Sequence, residues 1–308
     1  MGIESTESSG LARETRRLHQ ERTITAAYPR AHEFLTTHSI DPRNFIPPYD
    51  EIMVERDVEH AKKKAAEFTA LANTPEKKFL NKSATVLEAV SLDGVRSGWF
   101  VNAKKPDIAV WASHTAPHDD IVNGIDIITE FTTPGASDYT GLAIDVTYGN
   151  ANIVKEKIQD EEKKILKGEL SELKYFETEN YHGRLRNVPR VIIGIDLGHV
   201  VTLAEKWITS PETIGEDPMQ IIVLREIAKQ CEHFASIARE EKKHLRGAAT
   251  PEQINDGLMN RLDTIIAVYE KNQNMFLEIL RNKPMAMRSL VTDKYPDRVS
   301  ENITSLIT

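Results

Sequence analysis

An α/β fold with a mixed central sheet of four to five strands, flanked by helices and followed by a helical C-terminal hairpin, is predicted by three observations. Short β-rich runs crowd residues 98–148, a helical stretch follows at 151–170, and a buried strand returns at 188–196. Strands that bracket a helix in this way suit a mixed sheet. After Pro211 the apolar spacing is helical throughout. The 308 residues divide into a flexible N-terminal arm over 1–48, an α/β core over 49–210 and a helical region over 211–308.

Residues 1–12 are polar and Ser/Gly-rich, which predicts disorder, and an irregular or weakly helical arm follows to about residue 48. Asn44-Phe45-Ile46-Pro47-Pro48 reads as extended, because each proline fixes its own φ and disfavours helix at the residue before it. Ile52, Val58, Ala61, Ala65, Phe68 and Leu71 recur near helical spacing over 50–72. Thr74-Pro75 then starts a second helix, Thr as cap and Pro at its first position, carrying Phe79, Val86, Leu87 and Val90 towards a core.

The period then changes. Gly98–Phe100, Asp107–Trp111, Gly124–Phe131, Leu142–Tyr148 and Val188–Asp196 are short, apolar and bounded by turn residues, as strands are. Helices are expected from Ala151 to about Leu170, over Val201–Ile208, over Met219–Glu241 and over Pro251–Arg281. The last two favour an antiparallel hairpin, packed on the sheet or offering a homo-oligomer interface.

Composition places few limits on function. Apolar content of 40% and charged content of 28% describe an ordinary globular protein. No apolar run approaches the length of a membrane span, and one cysteine, Cys231, excludes an internal disulfide, so a cytoplasmic protein without a membrane partner is expected. A net charge of −8 argues against nonspecific coating of nucleic acid. Basic clusters nevertheless occur at Arg13/Arg16/Arg17/Arg22, Lys62–Lys64, Lys77/Lys78/Lys82 and Arg184/Arg186/Arg190; each also reads as a solvated face.

Two carboxylates carry the chemistry. Asp126 and Asp145 interrupt the runs GIDIITEF and GLAIDVTYG, where a buried charge is costly unless something pairs with it. A divalent cation such as Mg²⁺ or Mn²⁺ is one such partner, held by one or two carboxylates, waters and phosphate oxygens. Glu130 alternates onto the face of Asp126 and is a further candidate ligand, as is Glu88 on the preceding helix. Thr147 shares a strand face with Asp145. His114, His118, Asp119 and Asp120 form a weaker group with zinc-ligand chemistry, in what reads as a solvated loop.

The order of these residues resembles the PD-(D/E)xK nuclease superfamily over roughly residues 76–208: an acidic helix residue in ATVLEAV, Asp126 in one strand, Asp145-x-Thr147 in the next, then a helix and another strand. The resemblance implies that Asp126 and Asp145 hold the metal, that Glu88 is an accessory acid, and that nucleic acid is the partner. It also implies a lysine where Thr147 stands. Threonine cannot supply a cationic head group, so Lys155 or Lys157 on the following helix would have to substitute. Two functions follow as expectations: metal-dependent action on phosphodiester bonds, or a catalytically inactive nuclease-fold module for binding or assembly. A structural role stays open beside them, with Asp145 paired to an arginine, Asp126 at an exposed edge, Glu88 on a solvated face and Thr147 a plain strand residue.

Overall fold

The computed structural model describes residues 4–102, 104–105, 108–132, 140–148, 151–179, 181–248, 256–285 and 287. Eight α-helices and six strands are formed by these residues. Helix α1 (Glu4–Thr37) is followed by α2 (Glu51–Leu71) and α3 (Pro75–Gly94), then strand β1 (Ala109–His114) and the short α4 (Pro117–Asn123). Strands β2 (Ile127–Thr132) and β3 (Thr140–Tyr148) lead into α5 (Ala151–Leu166). A hairpin of β4 (Ser171–Glu177) and β5 (His182–Val188) precedes β6 (Arg190–Ile195) and α6 (Leu197–Thr209). Helices α7 (Met219–Ala248) and α8 (Asp256–Asn282) complete the described chain.

The predicted α/β class holds. The main sheet runs β1-β2-β3-β6, antiparallel except for the parallel pair β3 and β6, which α5 and the hairpin connect. Ile127, Phe131, Leu142, Ile144, Val146, Val191 and Ile193 are buried in the larger core, while Ile128 and Ala143 join a smaller one with Leu173, Tyr175 and Phe176. The C-terminal hairpin packs on this core: α7 lies against α8, α5 and β6.

Both edges of the sheet are closed by side chains and loops, which removes the templates that unpaired strands present. At the β6 edge, Gln230 of α7 accepts from the Ile192 amide at 2.9 Å and donates to the Ile192 carbonyl at 2.6 Å. Glu226, one helical turn away, accepts from the Gly194 amide at 3.3 Å. At the β1 edge, His38 and Ile40 exchange backbone bonds with His114 at 3.0 and 3.1 Å.

Three expectations need correction. The N-terminal arm, predicted as disordered at its start and then irregular or weakly helical, is one continuous helix from Glu4 to Thr37, because Ile24, Ala27, Ala31 and Leu35 recur at helical spacing and bury against α3 and α6. Gly98–Phe100 is not a strand: the chain turns there with Gly98 at φ 138, and Trp99 folds back to donate to the Ile214 carbonyl at 2.7 Å. The β4–β5 hairpin was not anticipated, since charged residues break up the alternation of Leu173, Tyr175 and Leu185. Asp107 and the Thr250-Pro251 helix start lie outside the described residues. Among the described residues no helix is long and apolar enough to cross a membrane.

Candidate functional site

Asp126 sits immediately before β2 and grips β3 on both sides of Asp145. Its amide donates to the Ile144 carbonyl at 3.0 Å, and its carboxylate accepts from the Val146 amide at 2.6 Å. The side chain thus stands in for a ladder bond at the point where the β2–β3 pairing ends, and it fixes the two aspartates side by side. Both are buried, at 8% and 1% exposure.

The turn that delivers Asp126 depends on Gly124. It closes α4 in the left-handed conformation, φ 62, which an L side chain adopts only with strain. A Cβ there would stand 3.0 Å from Arg190 Nη2.

Asp145 is held by two cations. Lys157, from the second turn of α5, places Nζ 2.5 Å from Oδ1, and Arg190, at the start of β6, donates through Nη2 to Oδ2. Arg190 is itself buried and lies 3.7 Å from Glu161, while the Tyr269 hydroxyl sits 3.3 Å from Glu161 and 3.1 Å from the Arg190 carbonyl. Burial disfavours the Arg190 charge, but Asp145 and Glu161 more than offset it and hold its pKa above the ordinary value. The alternative in which Asp145 pairs with an arginine is therefore realised, together with the pairing to lysine.

Two further acids join this pair. Asp120 of α4 hydrogen-bonds Asp126, and Glu88 of α3 feels the charges of Asp120 and Asp145. Burial first, then these like charges, raise Glu88 to about 8; burial and Asp145 raise Asp120 to about 6 despite its bond to Asp126. Asp126 rises well above the usual carboxylate range from burial and from Glu88, Asp145 and Asp120. In every case Lys157 pulls the other way. Four acids thus face two cations, and the raised pKa values mean that protons offset the crowding of carboxylates where a divalent cation would otherwise do so. Among the described residues no three His, Cys, Asp or Glu side chains are already drawn together as a ready ligand cage. The donor set, all carboxylate oxygen, nevertheless fits a hard ion, with Asp126, Asp145, Glu88 and Asp120 able to supply it.

The other candidates separate. Glu130 is buried but hydrogen-bonds Thr178 beyond β4, away from the acidic group, so its alternation with Asp126 does not make it a neighbour of the site. Lys155 is exposed and turned out; residues two apart on a helix point about 200° apart, so only one of Lys155 and Lys157 can face Asp145. Thr147 is a buried strand residue opposite Gly194. His114, His118, Asp119 and Asp120 do not converge. His114 is buried, His118 lies 3.8 Å from Asp57, and Asp119 accepts from the Lys174 and Tyr175 amides at 2.8 and 3.0 Å.

Asp120 and Arg190 were given other roles from the sequence, Asp120 in a solvated loop group and Arg190 in a basic cluster on a solvated face, whereas Arg190 is buried. Arg190 had a signal: it is the one charge at the head of the apolar run VIIGI, where a cation needs a buried partner. Searches of protein-family models, curated proteins and solved structures find no match to this chain, so the site is read from its own geometry.

Proposed function

We propose that this protein acts on phosphodiester bonds of nucleic acid as a metal-dependent, nuclease-like enzyme using Mg²⁺ or Mn²⁺. The observation that carries the reading is the convergence of Lys157 on Asp145 beside Asp126, which supplies from α5 the cation that Thr147 cannot. In this reading Asp126 and Asp145 hold the ion, with Glu88 and Asp120 as further oxygen donors. When bound, the ion supplies positive charge at the phosphate and a more acidic water. Lys157 places its side-chain nitrogen at the edge of this group, where it orients the attacking water and the scissile phosphate. Arg190 fixes the Asp145 carboxylate from behind, and the buried setting strengthens each of these interactions.

The test is cleavage of labelled DNA and RNA with and without Mg²⁺ or Mn²⁺. Activity that disappears in Asp126→Ala and Asp145→Ala supports the proposal; wild-type protein that neither binds the ions nor cleaves refutes it. One observation favours a second reading, an inactive nuclease-fold binding module: both Asp145 oxygens are already engaged by cations. That module would bind nucleic acid without cleaving it, and Asp126→Ala would leave its affinity within about twofold.

A further inference from the structure

The structure carries a second feature that joins this site. Helix α3 begins at an exposed tip and ends in the core, and Glu88 lies on its way. Lys77, Asn81, Ala84 and Glu88 recur at spacings of four, three and four, so they share one face of the helix. None of the four is buried: Lys77 and Asn81 are exposed, Ala84 and Glu88 partly so. The stripe therefore runs about 16 Å along α3, open at Lys77 and Asn81 and increasingly covered at Ala84 and Glu88, where it meets the buried acidic cluster.

The charge along this approach is opposite to that of the whole chain. The net charge is −8, yet the first eight residues of α3, 75–82, hold three lysines against one glutamate. Lys77 and Lys78 are both exposed. Helix α1 packs alongside and adds to the same ridge: Arg17 acts on Glu76, and Lys82 lies 5.7 Å from the centre of the Tyr28 ring. A surface that is basic at its outer end and leads to four carboxylates does not suit an acidic peptide or a free cation. It suits a polyanion whose charge recurs along its length.

The geometry points to the α3 ridge as the track on which the sugar–phosphate backbone of a nucleic acid lies as it enters the site. This rests on reading the acidic cluster as a phosphodiester site. One strand of a duplex carries a phosphate about every 3.4 Å of its axis, so on a duplex lying along the ridge Lys77 and Lys78 meet the backbone about five phosphates from the scissile bond. Contact there is electrostatic and indifferent to base sequence. It lets an acidic cluster that would repel a free phosphate receive one that is tethered nearby.

The experiment measures binding of a labelled oligonucleotide of about 20 nucleotides by fluorescence anisotropy, in chelator, over a range of salt concentrations. Lys77→Glu/Lys78→Glu should bind at least about tenfold more weakly at low salt, and its salt dependence should flatten by about two phosphate contacts. Lys243→Glu, an exposed control on α7, should leave affinity unchanged. Unchanged thermal unfolding of each variant confirms that the fold survives. Wild-type affinity in the double variant, equal loss in the control, or no binding by the wild type overturns the proposal. So does loss of binding to anionic phospholipid vesicles with oligonucleotide binding intact, which would assign the ridge to a membrane surface. Loss of binding in the double variant while the wild type fails to cleave with metal keeps the track and removes the nuclease reading. Wild-type cleavage with unaltered binding in the double variant does the reverse.

Discussion

Lys157 reaches Asp145 from the helix that follows its strand, with Nζ 2.5 Å from Oδ1. The cation that the strand lacks at Thr147 arrives two helical turns later, and the arrangement makes the two lysines of α5 distinguishable by experiment. Lys157→Ala should lower metal-dependent cleavage by about 10²-fold, the usual loss when one charge-stabilising donor is removed. Lys155→Ala should stay within about twofold, because that side chain faces solvent. Initial rates on a labelled oligonucleotide decide between them, and equal losses would sink the assignment.

Arg190 gives a stability test that does not depend on activity. It is the shared partner of Asp145 and Glu161, both buried, so Arg190→Leu removes the buried cation from both at once and leaves them only the partly exposed Lys157 and Lys164. Breaking a buried pair in this way costs about 3–5 kcal/mol. Urea denaturation should show that loss, while Arg184→Leu, an exposed residue whose ion pair is with the exposed Glu172, should cost under about 1 kcal/mol.

The acidic group should respond to the ion it is proposed to hold. Mg²⁺ or Mn²⁺ at a hundred times its dissociation constant should stabilise the folded chain by about 2.7 kcal/mol. Differential scanning calorimetry would show this as a rise in melting temperature. Asp126→Asn/Asp145→Asn should abolish the rise, whereas Glu130→Gln, whose side chain bonds Thr178, should keep it. A rise that survives in the double variant would place the ion elsewhere.

His114 sets a pH dependence at the other end of the sheet. Burial depresses its pKa from 6.5 to about 4, and neither ring nitrogen has a hydrogen-bond partner among the described residues. Above pH 6.5 the ring is neutral in both folded and unfolded chains. Between 6.5 and 4 the unfolded chain takes up a proton that the folded one refuses, so stability falls as the pH drops through that window. The loss reaches about 3 kcal/mol near pH 4 and goes no further from this group below it. Urea denaturation at pH 7, 5.5 and 4 should show the slope for the wild type, and His114→Phe should remove its share of it.

Much of this was legible in the residues. The short apolar runs marked β1, β2, β3 and β6, and the carboxylates at Asp126 and Asp145 stood out because, Glu130 apart, nothing else in their two runs was charged. Helical phase limited the cation to one of two lysines but not to which, since the twist of α5 against β3 is a tertiary fact. Asp120 was hidden by its neighbours: His114, His118, Asp119 and Asp120 read as one polar loop, yet each of the four ended in different surroundings. Helix α1 was obscured by Pro29 and by apolar residues sparse enough to suggest no core contact. The hairpin was obscured by charge, because only Leu173, Tyr175, Phe176 and Val188 of its residues are buried hydrophobics. Glu130 shows the converse error. Alternation put it on the right face, but a sheet face is long, and Thr178 claimed the side chain first.

Helix α4 carries two consecutive aspartates, and they answer to different parts of the molecule. Asp119 holds the Lys174 and Tyr175 amides of β4, while Asp120 bonds Asp126. Only seven residues long, the helix sets these two attachments side by side. The hairpin contributes no residue to the acidic group, yet its amides are bonded by the neighbour of one of that group's members.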